Sequence, residues 1–343
     1  MRSLSKFLSL AAVIFFSSTA FAQNEEQKKE AENKGTFILG GQYKPRFEFR
    51  NGFKRPILEN QNPAYFVEQR ARLWADYKTS KFQIHINLQD VRMWGATNQI
   101  YKADGVANGS LTNVYEAYGA YFFNSKWAMV IGRQQFDYDN ARFLGNLDWA
   151  MQGRSHDGLL FKYENPEHGY KLHIAGALNQ FQNEPAYLVG SPYLNNNYKN
   201  MAFIWVNKTW NKLNMSFLFH NDGREAVGPN NTYTGVEFHR QTVALIPTFN
   251  ADGFKVGGEL YYQLGKNGAG SDVSAYFANV YFTLKTDLTP VTIGGEVASG
   301  TQLNDTQDNS WNPLYGTNHK FYGYMDYFYV GNGHGQPFKD SRR

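Results

Sequence analysis

The chain has 343 residues, a formal net charge of +4 and no cysteine, with 17% aromatic and 19% charged residues. The missing cysteine excludes a disulfide framework and a thiolate zinc site, and the aromatic content is unlike that of a disordered polymer. Basic and acidic residues are interleaved, with no stripe of the kind that grips nucleic acid.

Residues 1–22 read as an export signal. Arg2 and Lys6 precede an apolar run from Leu8 to Phe16, and Ala20-Phe21-Ala22 forms a small-x-small cleavage site. The run is too short for a membrane anchor, which needs about 20 apolar residues. Residues 23–35 are mostly charged and amide side chains and read as a solvated periplasmic tether. A barrel is expected over 36–331, followed by an atypical tail over 332–343.

From Thr36 onward the dominant pattern has period two. Phe37, Leu39, Gly41, Tyr43, Pro45, Phe47 and Phe49 alternate with Gln42, Lys44, Arg46, Glu48 and Arg50. Tyr65, Val67, Gln69, Ala71, Leu73, Ala75 and Tyr77 alternate with Phe66, Glu68, Arg70, Arg72, Trp74 and Asp76. Phe82 to Gln89, Lys171 to Asn179, Leu213 to His220 and Phe254 to Gln263 repeat the pattern. Successive side chains of a strand point to opposite faces, so each segment has one greasy and one polar face. About ten residues per strand exceeds the usual five or six and matches the 9–11 that cross a bilayer.

The connections alternate in length. Thr79-Ser80, Asn124-Ser125, Asn165 to Gly169, Trp210-Asn211, Asn250 to Gly253 and Thr286 to Pro290 are short. Asn51 to Pro63, Gly95 to Ser110, Asp139 to Ser155, Asn183 to Asn197, Asp222 to Val236, Gly265 to Asp272 and Gly300 to Thr317 are long. Short periplasmic turns opposite long external loops are the mark of an outer-membrane barrel. The expectation is an all-β, antiparallel, porin-like transmembrane barrel of about 14 strands, up to 18 if this chain is a piece of a longer one. Tyr65 and Tyr77 fall where two interfacial aromatic levels belong. Pro45 and Pro247 point outward without an N–H to donate, and bulges would accommodate them.

Function is then to be sought in the bore. At mid-depth it is expected to present Lys44, Arg46, Glu48, Arg50, Arg70, Arg72, Asp76, Glu116 and Arg133. Over Trp127 to Tyr138 the phase is set by placing Tyr138 at the outer aromatic level, which turns Arg133, Gln135 and Asp137 inward. The stretch Asp139 to Ser155, with Trp149 and Arg154, either folds inward to narrow the mouth or stays outside as an ordinary loop. Planar, permanently charged guanidiniums suit carboxylates spaced along a polymer. The same charges could instead brace the wall as a salt-bridge ladder.

Enzymatic readings are weaker. Ser155-His156-Asp157 has the residue types of a triad, but neighbours in an extended chain face opposite ways. Asp137, Asp139, Asn140 and Asp148 could gather calcium, although solvated loop carboxylates explain them as well. His85, His173 and His220 read as polar residues facing the lumen. No catalytic set, metal or cofactor is expected.

The segment Gly40 to Gly52 (GGQYKPRFEFRNG) resembles the first strand of the alginate export family of outer-membrane proteins, in particular its Bacteroidetes branch. So do Leu88 to Gly95, Gly132-Arg133-Gln134, Arg142 to Trp149 and Gln152 to Asp157. The resemblance runs from about Thr36 to Gly333. It implies a monomeric barrel whose arginine-rich bore passes an anionic uronate polymer, with Arg46, Arg70 or Arg72, and Arg133 at the pore positions. Family members generally run further and close on an aromatic residue, whereas Gly335 to Arg343 is not strand-like. The implied setting is the outer membrane of a Gram-negative bacterium after signal cleavage. The implied partners are outer-membrane lipid, the barrel-insertion machinery, and anionic carbohydrate or small hydrophilic solutes. A general diffusion porin, or a non-conducting structural or receptor barrel, is the alternative.

Overall fold

Period-two alternation folds into thirteen antiparallel strands in a computed structural model that describes residues 34–52, 57–95, 111–180 and 197–321. In chain order they are β1 (Thr36–Arg50), β2 (Ala64–Lys78), β3 (Phe82–Met93), β4 (Thr112–Phe122), β5 (Trp127–Gln134), β6 (His156–Asn165), β7 (Tyr170–Leu178), β8 (Asn200–Trp210), β9 (Leu213–Val227), β10 (Tyr233–Asn250), β11 (Phe254–Lys266), β12 (Asp272–Leu284) and β13 (Val291–Ala298). Each strand hydrogen-bonds the next, so sheet order is chain order. Among the described residues β1 and β13 are the two edges. The expected signal, nearly all of the tether, the tail and most of a fourteenth strand expected after Thr317 lie outside the described residues; Asn318 to Phe321, which are described, form no strand.

The six expected short turns are all present between consecutive strands. Two expected long gaps are shortened to hairpins, and Gly265 to Asp272 keeps only residues 267–271. Asp222 to Val236 shrinks to residues 228–232 because β9 and β10 stay paired beyond the apolar band, with Arg224 opposite Phe238 and Glu225 opposite Glu237. Charged residues there suggest a loop only if a strand must stop where the lipid stops, and this hairpin continues past it. Neither proline forms a bulge. The β1–β2 register runs evenly through the Pro45–Gln69 pair. At Pro247 the β9 ladder is continuous, while pairing to β11 lapses between Leu245 and Thr248 without a shift in register.

The apolar face of β1–β3 looks outward, with Phe37, Phe47, Tyr65 and Ile84 all exposed. The inner wall is of two kinds. On β1–β4 it carries charged and amide side chains, as the alternation predicts. On β6–β12 it carries Leu160, Phe203, Trp205, Leu218, Ile246, Tyr261 and Phe277, all buried inside the sheet. What covers them is chain from two inward connections. Residues 135–155 bring Phe136, Phe143 and Leu144, and residues after 298 bring Trp311 and Tyr315. The two connections join through a parallel bridge between Leu144 and Tyr315, and through Thr317 N donating to Ala141 O at 2.7 Å. Some of the aromatic excess therefore fills a core inside the barrel rather than its lipid face.

Candidate channel site

The polar wall is built by register. Lys44 lies opposite Arg70, Gln42 opposite Arg72 and Arg46 opposite Glu68, so inward cations of β1 and β2 form adjoining rows. At the outer end, Arg46 bridges Glu48 at 2.7 Å and Glu68 at 2.6 Å, and Arg50 shares Glu48 at 2.5 Å. These side chains are a fifth to a third exposed, open to a solute yet already paired.

Deeper in, the cations hold the first inward connection. Lys44 Nζ donates to the carbonyls of Asp148 and Trp149 at 3.2 and 3.4 Å, and Arg46 reaches the latter at 3.2 Å. Arg70 is fully buried. Its guanidinium donates to Gln42 Oε1, to the carbonyls of Ala150 and Met151, and to Asp148 Oδ1 at 3.0 Å. Arg72 meets the same Oδ1 at 2.8 Å and lies 3.6 Å over the Tyr115 ring. Gly153, at φ +66°, passes so close that a Cβ would come within 2.8 Å of Tyr115 and Arg72. Five cations thus face three carboxylates: Glu48, Glu68 and Asp148.

The loop's own carboxylates are tuned by what they touch. Burial pushes Asp148 up, but hydrogen bonds from Arg72 and Arg70 outweigh it and hold the carboxyl below its ordinary value. Asp139 goes the other way. Burial raises it, with Glu259 adding repulsion, despite donation from Ser216 Oγ and Trp205 Nε1. Asp137 is likewise raised by burial.

The expected residues are thus distributed unevenly. Lys44, Arg46, Glu48, Arg50, Arg70 and Arg72 come together. Asp76 and Glu116 also face inward, but they flank His85, with Asp76 2.8 Å and Glu116 3.6 Å from its ring nitrogens. Arg133 must be corrected. It pairs in register with outward Ala117, points away from the lumen and bridges Asp157 at 2.6 Å. The inward residues of β5 are Ala128, Val130 and Gln134; Gly132, at φ +125°, could not carry a Cβ beside the Ala117 carbonyl. The phase fails because apolar residues line both faces here. Asp139 to Ser155 takes the inward alternative. Arg154 caps the carbonyls of Gly145, Tyr315 and Gly316, and Trp149 stacks on His319 at 3.8 Å.

Several residues that tie the inward connections to the wall escape a reading of the strands alone. Asp148 is the common acceptor of Arg70 and Arg72. Arg142 joins Glu259 at 3.1 Å to Glu296 at 3.3 Å and lies over the rings of Phe277 and Phe321. A signal existed. Phe143-Leu144 and Trp311 to Tyr315 are apolar stretches inside gaps otherwise fit for solvent.

The family model described as alginate export matches residues 36–334. The chain belongs to the alginate export family. Among curated proteins none matches it closely enough to count as a relative. Solved structures share its fold at low identity. Pseudomonas aeruginosa OpdQ is 13% identical, covering 85% of this chain and 72% of that one, with TM-score 0.51. Pseudomonas aeruginosa OpdL is 12% identical over 85% and 72%, with TM-score 0.50. OccK9 (OpdG) of the same organism is 11% identical over 79% and 69%, with TM-score 0.51. This member of the family is accordingly an outer-membrane β-barrel of porin type, and family and fold are those of a transport channel. Its triad-like residues separate as alternation requires. His156 turns inward to Tyr198 at 2.9 Å, while Asp157 faces out toward Arg133. The calcium candidates also disperse, since Asp139, Asn140 and Asp148 turn to Trp205, Glu259 and Arg72 respectively.

Proposed function

We propose that this barrel passes anionic oligo- or polysaccharides along the cationic wall of β1 and β2. The observation that carries this reading is the surplus of five cations on adjoining inward rows over the three carboxylates they meet, Glu48 and Glu68 on the wall and Asp148 on the loop. Lys44, Arg46 and Arg50 are the groups that meet the solute. Each carboxylate of a uronate chain would exchange with Glu48 or Glu68 for a guanidinium, so no site binds too tightly to release it. Arg70 and Arg72 act beneath them by fixing the loop that narrows the passage.

The test is reversal potential in planar bilayers under a salt gradient. Removing Lys44, Arg46 and Arg50 together as alanines lowers anion preference, and oligouronate block of the current weakens. Unchanged selectivity and block would reject the reading.

One observation favours a second reading, a general diffusion porin. Every guanidinium named above already has a carboxylate partner, as a bracing ladder would. In that case the triple variant alters conductance without altering the ratio of anion to cation permeability.

A further inference from the structure

The polar wall of β2 carries one residue that neither the ion pairs nor the seat of the loop uses. Trp74 alternates inward with Arg70, Arg72 and Asp76. Two residues on a strand tilted by roughly 40° place it about 5 Å below Arg72, on the periplasmic side of the latch to Asp148. Its partner across the β1 ladder is Gly40. A Cβ built on Gly40 would fall 2.4 Å from Cε2, 2.5 Å from Cζ2 and 2.6 Å from Nε1 of the indole. Cε2 is bonded to the other two atoms and is the nearest, so the glycine meets the face of the ring rather than its rim. Trp74 therefore lies flat against the wall, only partly covered. Among the described residues no cation or second ring packs on it, and no acceptor takes its Nε1 hydrogen.

Its surroundings are of the same kind. Asn87, opposite Trp74 on β3, is 7% exposed; its Nδ2 donates to Glu116 Oε2 at 3.3 Å, and its Oδ1 has no hydrogen-bond partner. One row lower, His85 stacks on Tyr118 at 4.9 Å. Tyr118 stands two strand spacings, about 10 Å, round the wall from Trp74. With Phe122 it lines a cavity of about 350 Å³, together with Gln83, Glu116, Gln135 and Lys162. That volume is within the range of sites that hold small ligands. Flat rings rimmed by amides, a carboxylate and a cation match the chemistry of a sugar. A pyranose has an apolar C–H face and a rim of hydroxyls that both donate and accept, whereas a polyanion without rings offers no such face.

We infer that Trp74 is a stacking platform for the pyranose rings of the solute and a specificity-determining residue of the channel. This platform presupposes the carbohydrate reading above and deepens it: the cations of β1 and β2 select charge, and Trp74 selects the ring. The chain meets the two in succession, guanidiniums outside the loop and the indole just beneath it. Covering Gly40 takes only one face of the indole. A merely structural tryptophan would therefore be replaceable by an apolar side chain that covers the same glycine.

The test is current block of the full chain in planar bilayers by three probes: a uronate hexamer, neutral cellohexaose, and citrate as an anion without a ring. Trp74→Leu, which still covers Gly40, is expected to shorten block by both hexamers several-fold. Block by citrate and the reversal potential stay as in wild type, and heat-modifiable migration confirms that the barrel is folded. Trp74→Phe keeps a ring and retains most of the block time. The neutral probe separates this platform from charge selection. Shortened cellohexaose block in Trp74→Leu supports it even where the Lys44, Arg46 and Arg50 variant leaves anion preference untouched, in which case charge selection alone fails. Block times unchanged in a folded Trp74→Leu barrel, equal shortening with citrate, Trp74→Phe as weak as Trp74→Leu, or wild-type channels that neither hexamer blocks would each overturn the platform.

Discussion

Arg72 sits between Tyr115 and Asp148, its guanidinium 3.6 Å above the ring and 2.8 Å from the carboxylate. Tyr115 is the extra residue of the β4 bulge, which turns an aromatic face into the lumen where strict alternation would not. The bulge thereby gives a cation a platform, and the cation holds a loop.

Asp148→Asn should loosen that loop. It leaves Arg70 buried with no anion, a change that costs about 3–5 kcal/mol in a closed core. Asp148 is itself 44% exposed, so about 1–3 kcal/mol is the expected loss. In bilayers the variant should show higher and noisier single-channel conductance, with a lower unfolding temperature in detergent. Because the folded carboxyl lies below its ordinary value, its stabilisation is complete above about pH 4. It is lost as pH falls further through the depressed value. Wild-type conductance should therefore rise toward that of the variant only under strongly acid conditions.

Arg142→Ala should release both inward connections together. The guanidinium bridges Glu259 and Glu296 and covers Phe277 and Phe321, so its loss strands Glu259, which is 2% exposed on its side chain. Breaking such a pair from one side costs about 3–5 kcal/mol. Adding Glu259→Gln removes the stranded charge and should recover part of the lost unfolding temperature. A double variant no more stable than Arg142→Ala would show that the ion pair is not the seat of the loop.

Phe143→Ala tests the core within the barrel. The ring is 2% exposed and touches His220, Tyr261 and Trp311. Emptying a closed site of this size costs about 3–5 kcal/mol. Limited proteolysis should then cut within 135–155 while the strands stay intact. Protection equal to wild type would mean that polar latches alone seat the loop.

The strands were legible where each face had one kind of neighbour. Lys44, Arg46, Arg70 and Glu116 alternate with Tyr43, Phe47, Ala71 and Ala117, because lipid lies on one side and water or polar loop on the other. The phase was lost at Trp127 to Gln134, where Val130 faces protein and Ile131 faces lipid, so both faces are greasy. Phe203, Trp205 and Tyr261 were hidden for the same reason. An inward aromatic becomes intelligible only once Phe143 and Trp311 are known to cover it. Asp148 could not be found from alternation at all, since a loop residue acquires its role from where the loop is carried.

Asp139→Asn should change how pH acts on the loop's seat. Asp139 lies against Trp205 and Ser216, and burial, reinforced by Glu259, raises its folded pKa. The folded protein therefore holds this proton more tightly than the unfolded chain. That contribution is full below about pH 4, the unfolded value, and declines as pH rises through the raised folded value. Asparagine cannot ionise, so unfolding temperature should fall less between pH 4 and 7 in the variant, although one of the two donors loses its acceptor. If the slope in that interval is unchanged, the titrating group lies elsewhere, and Asp137, also raised by burial, is the next to replace.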